Sequence, residues 1–232
     1  MTTWRSTGSG PGVITPDGCA VDFYALLPPG DDPQIVHAAV PDGASILELG
    51  CGAGRVTGPL VALGHQVTAV DESAEMLALV SGAKKVQARI EGLDLGRRFD
   101  AVLLASHLIN VPDDQVRRAL LDACARHVTA DGRVIIQQHQ PDWFDTAGPA
   151  EQIRPDGMTF RLRDVSRPGQ DLLSATVEYQ VGDRLWTQTF TAGRLTEERL
   201  RAALGEAGLG LDEYLTANHA WLRAVPQPDA MR

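Results

Sequence analysis

Apolar residues along the middle of the chain follow two alternating patterns. Short, mainly apolar runs, which are typical of buried strands, recur at 45–49, 66–70, 99–105 and 133–137, and a further strand is predicted at 85–88. Between these runs, apolar residues recur every three or four positions, as in amphipathic helices. Parallel strands require crossover connections, and buried strands joined by helices meet that requirement. The pattern therefore predicts an α/β fold with a doubly wound, mainly parallel sheet and helices on both faces.

Polar residues mark the positions at which several helices begin. Asp32 followed by Pro33 opens one helix, Ser73 caps a second, and Asp113 or Asp114 caps a third. Further helices are predicted over 20–27, 55–63 and 196–207. Each of these segments presents an apolar stripe that can pack against the sheet.

The first eighteen residues differ in composition from the rest of the chain. Twelve of them are Gly, Pro, Ser or Thr, so this segment offers little apolar surface for burial. Residues 1–18 are therefore predicted to form a flexible tail, or a flap that becomes ordered on binding a ligand. Residues 19–232 are predicted to form a single domain.

After Pro141 the pattern changes to alternation of apolar and polar residues. Three alternating strands are predicted at 158–165, 172–181 and 185–190, separated by turn sequences rich in Gly, Pro and Asp. They predict an antiparallel strand extension, about 158–190, after the fifth strand of the sheet. A last strand is predicted within 214–225.

The net charge limits the possible binding partners of the chain, and its cysteine content limits the cellular compartments in which it can act. The 232 residues carry a net charge of −9, which repels nucleic acid, so no nucleic-acid partner is expected. The three cysteines have neither disulfide nor zinc spacing, which fits a reducing compartment. No apolar run reaches the roughly 20 residues of a membrane span, and no secretory signal is visible. A cytoplasmic protein without membrane contact is expected.

The strongest local motif follows the first parallel strand. Glu48-Leu49-Gly50-Cys51-Gly52-Ala53-Gly54-Arg55 places a glycine at every second position between a strand and a helix. Glycines there allow a tight turn and let a ligand approach the backbone closely. The dinucleotide spacing GxGxxG is not met from either Gly50 or Gly52, which disfavours a nicotinamide cofactor.

This E-x-G-x-G-x-G pattern resembles motif I of class I S-adenosylmethionine-dependent methyltransferases. Asp71 ends the second strand, 17 residues after Gly54, and Asp71-Glu72-Ser73-Ala74-Glu75-Met76-Leu77 is similar to the family's continuation. The resemblance implies a Rossmann-like methyltransferase of small-molecule type, with S-adenosyl-L-methionine as cofactor and S-adenosyl-L-homocysteine as product.

The resemblance also implies roles for individual residues. Glycines 50, 52 and 54, together with Cys51, pass under the aminoacyl part of the cofactor, Glu48 orients the loop or the amino group, and Asp71 binds the ribose. The other predicted cofactor contacts are Tyr24 over the methionine end, Arg55 at the carboxylate, Glu72, Met76, Ile90 and Glu91 near the adenine, and Ala105 and Ser106 facing the methyl donor. Arg89 stands where relatives often carry an acidic adenine contact, so Glu91 or the Ile90 backbone is expected to replace it.

The acceptor side is predicted less specifically. His107 and His139 follow two strands at the carboxyl edge of the sheet, where either can serve as a general base or simply pack. Asn110 and Gln138 are candidates for orienting the acceptor. The aromatic candidates for the acceptor pocket, which the strand extension partly forms, are Trp143, Phe144, Tyr179, Trp186 and Trp221.

Missing motifs limit the reaction class. No [Asp/Asn/Ser]-Pro-Pro-[Tyr/Phe] sequence follows the fourth strand and no Pro-Cys pair occurs, which disfavours methylation of nucleic-acid bases. No metal is expected, because Asp142 and Asp145 lack a matched Asp-Asn partner pair. A small-molecule acceptor methylated on oxygen or nitrogen is predicted, in specialised (natural-product) metabolism, by a monomer or homodimer.

Two other functions remain open at this point. A protein of the same fold can bind the cofactor and assist a reaction other than methylation. A nicotinamide-dependent oxidoreductase would require an unusual variant of the GxGxxG spacing.

Overall fold

A computed structural model describes residues 6–227 of the chain. The helices are α1 (Val21–Tyr24), α2 (Asp32–Ala39), α3 (Thr57–Ala62), α4 (Ala74–Leu79), α5 (Asp114–His127), α6 (Trp143–Thr146) and α7 (Glu197–Glu206). The strands are β1 (Thr7–Ser9), β2 (Ser45–Leu49), β3 (Gln66–Asp71), β4 (Lys84–Gln87), β5 (Phe99–Leu104), β6 (Val128–Gln137), β7 (Ala150–Ile153), β8 (Met158–Gly169), β9 (Leu172–Val181), β10 (Arg184–Gly193), β11 (Leu209–Tyr214) and β12 (Trp221–Pro226). These strands form two separate sheets.

The larger sheet has seven strands in the order β11-β12-β6-β5-β2-β3-β4. Strands β2 to β6 pair in parallel, whereas β12 and β11 add as antiparallel strands at one edge. Helices pack on both faces, and the central strands are buried almost completely. The predicted doubly wound, mainly parallel Rossmann-like sheet is confirmed. Its carboxyl edge is where such sheets bind ligands.

The predicted helix starts agree with the observed caps. Ser73 Oγ accepts from the Met76 amide at the start of α4, and Asp113, rather than Asp114, caps α5. Helix α3 begins at Thr57, two residues later than predicted, because the glycine turn continues to that point. No helix within residues 6–227 is long and apolar enough to cross a membrane.

The second sheet is larger than the predicted extension. It has five antiparallel strands in the order β1-β10-β9-β8-β7, so it spans 150–193 and also recruits a strand from the N-terminal segment. The short strands β1 and β7 were not predicted, because three or four polar residues carry no readable alternation. This sheet stands at the carboxyl edge of the larger sheet and closes one side of a cavity.

The N-terminal segment is not a tail over residues 6–18. Strand β1 pairs with β10, and the Trp186 indole donates to the Pro11 carbonyl over 2.8 Å. Gly8 lies so close to Gly18 that a Cβ at Gly8 would be 2.0 Å from the Gly18 oxygen. Backbone hydrogen bonds and glycine contacts therefore order a segment that has little apolar surface. Residues 1–5 of the predicted tail lie outside the described residues.

The prediction of a single C-terminal strand was wrong, because this region contributes to two strands. The region predicted as one strand over 214–225 contains the end of β11, a turn, and β12. His219 adopts a left-handed conformation (φ 57°) and its amide donates to the Thr216 carbonyl, which reverses the chain. The apolar residues on both sides of this turn produce a pattern that looks continuous in the sequence.

Candidate functional site

A cavity of about 810 Å³ lies at the carboxyl edge of the larger sheet, between it and the second sheet. Its size is typical of a small-molecule site. Twelve of the sixteen predicted site residues line it: Tyr24, Glu48, Gly50, Cys51, Gly52, Arg55, Asp71, Met76, Ala105, Ser106, His107 and His139. The fold therefore brings most of the predicted residues to one place.

The glycine turn forms one wall of this cavity. Gly50, Gly52 and Gly54 all have positive φ, at 72°, 54° and 83°, which side chains rarely adopt. A Cβ added at Gly52 would meet no atom within 4 Å, so the Gly52 backbone is open to the cavity. At Gly54 a Cβ would lie 3.1 Å from Val80, because this glycine packs on the end of α4 instead. The turn thus exposes bare backbone to a ligand at Gly52.

Asp71 lies at the end of β3 and organises the turn. Its Oδ2 accepts from the Gly52 amide at 2.8 Å and its Oδ1 accepts from the Ser73 amide at 2.9 Å. Each carboxylate oxygen can accept more than one hydrogen bond, so Asp71 retains acceptor capacity toward the cavity. The carboxylate is held in place and is suited to bind a pair of hydroxyl groups.

Glu48 is a buried carboxyl on the central strand β2. Its side chain is only 3% exposed, and Oε2 accepts from the Thr57 hydroxyl at 2.6 Å. Burial raises the pKa of Glu48 to about 7, although Thr57 and Arg55 act in the opposite direction. A buried carboxyl that ionises near neutral pH beside a cavity is suited to receive a cationic group of a ligand.

Glu48→Gln is expected to change how stability depends on pH. The pKa of Glu48 is about 7 in the folded protein, above its ordinary value of 4.5. Between these two pH values the carboxyl ionises in the unfolded chain but stays protonated in the ligand-free fold, so the free energy of unfolding falls as the pH rises. The free energy of unfolding of the variant should equal that of the wild type below pH 4.5 and exceed it by roughly 3 kcal/mol at pH 8, because a pKa shift from 4.5 to about 7 is worth about 1.36 kcal/mol per unit.

Urea unfolding of the ligand-free protein at several pH values measures this difference. Glu75→Gln is the control, because Glu75 is exposed on α4 and its pKa is lowered rather than raised. Equal pH dependence of Glu48→Gln and wild type would contradict the proposed ionisation.

Arg55 lines the cavity but already has partners. Its Nη1 donates to the Pro29 carbonyl at 2.8 Å and forms an ion pair with Asp32 at 2.7 Å. The guanidinium thus ties the segment before α2 to the glycine turn. A ligand carboxylate would have to share Arg55 with Asp32.

Three predicted adenine contacts do not line the cavity. Glu91 forms an ion pair with Arg89 at 3.1 Å, and Ile90 packs against the core. The Glu72 carbonyl accepts from the Gln87 side chain at 3.1 Å. With Gly54, these residues are the four members of the predicted set that the fold leaves outside the cavity lining.

Two consecutive strained residues follow β5. Ser106 and His107 are both left-handed, with φ 55° and 59°, a conformation that costs energy in residues other than glycine. The Ser106 amide donates to the Gln137 side chain at 2.8 Å, which fixes the turn against β6. This strained turn directs the His107 ring into the cavity wall.

The two predicted histidines stack on each other. The ring centroids of His107 and His139 are 4.1 Å apart at an interplanar angle of 13°, and His139 stacks in turn on Trp143 at 4.1 Å. Burial lowers the pKa of His107 to about 4 and holds that of His139 well below its usual range. The Nδ1 atom of His107 is buried without a hydrogen-bond partner. Both rings are neutral at pH 7.

The second sheet contributes residues that the motif analysis did not identify. Alternate positions of its strands face the cavity, as expected for a period of two. The alternate positions of β8, β9 and β10 that line the cavity are Phe160, Leu162, Val177, Tyr179, Gln188, Phe190 and Ala192; the lining also includes Arg161, Thr191 and residues 150–152 of β7. The alternation itself was visible in the sequence, but which face meets the cavity depends on how the sheet docks.

The aromatic and amide candidates for the acceptor side divide into two groups. Trp143, Tyr179 and Asn110 line the cavity. The remaining candidates, Phe144, Trp186, Trp221 and Gln138, are buried away from it. Asn110 joins the two sheets, because its Nδ2 donates to the Gly193 carbonyl and its Oδ1 accepts from the His139 amide. It therefore supports the histidine stack as well as the cavity wall.

Residues 46–132 match a family model described as a methyltransferase domain. Cypemycin N-terminal methyltransferase from Streptomyces sp is 28% identical over 145 residues, which cover 57% of this chain and 59% of that protein. The ubiquinone biosynthesis O-methyltransferase of Xanthomonas campestris is 31% identical over 130 residues, covering 52% and 53%. The chain thus spans just over half the length of these curated relatives.

A solved structure supports the same fold over most of the chain. The S-adenosylmethionine-dependent methyltransferase from Clostridium acetobutylicum superposes with a TM-score of 0.71 at 14% identity, covering 88% of this chain and 94% of that one. At this identity the likeness shows the fold. The superposed residues extend well beyond 46–132. The solved structure therefore confirms the predicted Rossmann-like architecture for most of the chain.

Proposed function

We propose that this chain transfers a methyl group from S-adenosyl-L-methionine to an oxygen or nitrogen of a small molecule. Residues 46–132, which match the methyltransferase domain model, support this proposal. The observation that carries the proposal is the arrangement of Gly52, Asp71 and Glu48 around one cavity. A bare backbone, a fixed carboxylate and a buried carboxyl are the groups that such a cofactor requires. The curated relatives include both an O-methyltransferase and an N-terminal methyltransferase.

The residues present fit the cofactor. The open space at Gly52 accommodates a ligand chain against the backbone, and Asp71 has free acceptor capacity for the ribose hydroxyls. Glu48 would receive the amino group, and Tyr24 would cover the methionine end. The other residues proposed to contact the cofactor are Gly50, Cys51, Arg55, Met76, Ala105 and Ser106. When bound, the sulfonium supplies an electrophilic methyl group and S-adenosyl-L-homocysteine is the product.

The chain's own contribution to methyl transfer is orientation and, for a hydroxyl acceptor, proton removal. His107 and His139 are the proposed bases. With its pKa lowered to about 4, His107 is neutral at pH 7 and has a lone pair available to accept a proton. The same low pKa makes it a weak base, so its role is to hold the hydroxyl proton as the new bond forms rather than to deprotonate the acceptor beforehand.

The acceptor, the metabolic role and the cellular location are proposed on separate grounds. Its aromatic lining fits a small organic molecule, and the strongly negative chain does not favour nucleic acid. A role in specialised metabolism is supported by the cypemycin relative, and action in the cytoplasm by the three free cysteines. The active form is proposed to be a monomer or a homodimer.

Calorimetric titration with S-adenosyl-L-homocysteine tests the proposal directly. Saturable binding with a stoichiometry of one per chain is expected, whereas NADH and NADPH should not bind, because the turn lacks the GxGxxG spacing. Binding of NADH without S-adenosyl-L-homocysteine would favour the oxidoreductase alternative. Binding without any methyl transfer to a broad acceptor panel would favour a cofactor-binding protein of the same fold.

A further inference from the structure

A polar network lines the part of the cavity formed by the N-terminal segment and the second sheet. We call this part the acceptor wall, and the network consists of Asp17, Cys19, Tyr24, Tyr179 and Gln188. The hydroxyls of Tyr24 and Tyr179 each donate to the side-chain oxygen of Gln188, both over 3.3 Å. The Gln188 nitrogen lies 3.3 Å from the Cys19 sulfur and 3.5 Å from the Asp17 carbonyl oxygen. All five residues line the cavity.

The orientation of the Gln188 amide follows from its neighbours. The Asp17 carbonyl can only accept a hydrogen bond, so the amide nitrogen must face it and the amide oxygen must face the tyrosines. The Cys19 thiol points its hydrogen toward the Asp17 carboxylate at 3.5 Å, which leaves the sulfur free to accept from Gln188. With the Gln188 amide in this orientation, every donor in the network faces an acceptor.

This orientation determines what the two tyrosines offer to a ligand. Burial raises the pKa of both phenols above the usual range, so each hydroxyl keeps its proton. Since that proton is donated to Gln188, each phenolic oxygen can only accept from a bound molecule. The wall thus presents two neutral hydrogen-bond acceptors.

The charges around the cavity also favour a ligand that donates hydrogen bonds. Among the described residues that line the cavity, the two cations are Arg55 and Arg161, and each is paired with a carboxylate. Arg161 donates to Glu151 and, over 2.8 Å, to Gln180. An anionic ligand would find these guanidinium groups already occupied, whereas a cationic ligand would gain from the exposed Asp17 carboxylate.

We infer that Gln188 sets the acceptor specificity of this site by holding Tyr24 and Tyr179 as hydrogen-bond acceptors for an amino group. The inference rests on the proposed methyltransferase function and narrows its acceptor to an amine-bearing molecule. A primary amine binds as its ammonium ion, whose N–H groups can be donated to both acceptors on the wall. After one proton has left to solvent, the nitrogen lone pair is free to attack the methyl group. Gln188 acts here as a positioning residue, through the tyrosines.

The test uses three fragments of equal size that differ in one group: benzylamine, benzyl alcohol and benzoate. Each is titrated by NMR against the full chain saturated with S-adenosyl-L-homocysteine. Benzylamine is expected to bind about tenfold more tightly than benzoate, with benzyl alcohol between them, since hydrogen bonds involving a charged group are the stronger ones. Benzoate or benzyl alcohol binding as tightly as benzylamine, or no binding of benzylamine, would overturn the inference.

Variants separate positioning from simple support of the fold. Gln188→Met frees both phenol protons and should reduce the preference for benzylamine over benzoate to under about threefold, whereas Gln188→Glu still accepts from both phenols and should retain it. Thr189→Val is the matched control, because Thr189 is exposed on the same strand and its hydroxyl hydrogen-bonds to that of Thr176.

Binding of the product S-adenosyl-L-homocysteine tests the proposed methyltransferase function separately from the inference about Gln188. Its affinity should stay within about threefold of wild type in all three variants, because the glycine turn, Asp71 and Glu48 are unaltered and Gln188 reaches the cofactor side through Tyr24. If it does not bind the wild-type chain, the methyltransferase proposal itself fails. If it binds but Gln188→Met keeps the amine preference, the inference about Gln188 alone is wrong.

Discussion

Asp71→Ala is expected to weaken the binding of S-adenosyl-L-homocysteine about a hundredfold, which corresponds to the loss of roughly two charge-assisted hydrogen bonds. The substitution removes the proposed ribose acceptor. It also removes the bonds that the carboxylate accepts from Gly52 and Ser73, so the glycine turn loses its anchor to β3. Both losses act on the same ligand surface. Calorimetric titration of wild type and variant at the same pH measures the change.

Asp94→Ala provides a matched control for this experiment. Asp94 also accepts from the amide two residues later in the chain, that of Gly96 at 2.8 Å, but it is exposed and does not line the cavity. Its replacement should leave the dissociation constant unaltered within error. Similar binding by Asp71→Ala and wild type would show that the ligand does not depend on this carboxylate, and the proposed position of the ribose would be wrong.

Trp186→Ala is expected to lower the free energy of unfolding by about 4 kcal/mol, the range for removing a fully buried large aromatic side chain. Trp186 has no exposed surface and packs against Phe23, with ring centroids 5.6 Å apart. Its indole also donates to the Pro11 carbonyl. The substitution therefore leaves a cavity in the second sheet and releases the N-terminal segment from it.

Urea unfolding followed by far-UV circular dichroism measures this loss, with Leu185→Ala as control. Leu185 is the adjacent residue and is 45% exposed, so its truncation should cost less than about 1 kcal/mol. Limited proteolysis adds a local readout, because residues 6–18 should become cleavable in Trp186→Ala before the rest of the chain. Equal stability of the two variants would mean that the second sheet does not depend on this contact.

The larger sheet was predictable because its signals are local. The central parallel strands β2, β3 and β5 are mainly apolar runs, and Ser73 and Asp113 cap their helices through contacts within three residues. The glycine turn and Asp71 also lie near each other in sequence, on neighbouring strands. For that reason the predicted cofactor residues around them fall in one cavity.

The acceptor wall was not predictable in the same way. Gln188 meets Tyr24 across 164 positions and Cys19 across 169, and no periodicity connects residues so far apart. The order of residues 6–18 depends on the docking of β1 onto β10, which its composition does not indicate. Ile90 and Glu91 were predicted as replacements for the acidic residue that Arg89 displaces, and the ion pair of Glu91 with Arg89 could not be read from that substitution.

The two walls of the cavity come from separate stretches of the chain. The glycine turn, Asp71 and the strained turn after β5 lie within 46–107, whereas most of the opposite wall comes from 6–24 and 150–193. Substitutions, insertions or recombination in the second group can reshape the acceptor side without altering the first. Gene duplication followed by divergence of 150–193 is therefore a direct route by which this architecture acquires new substrates.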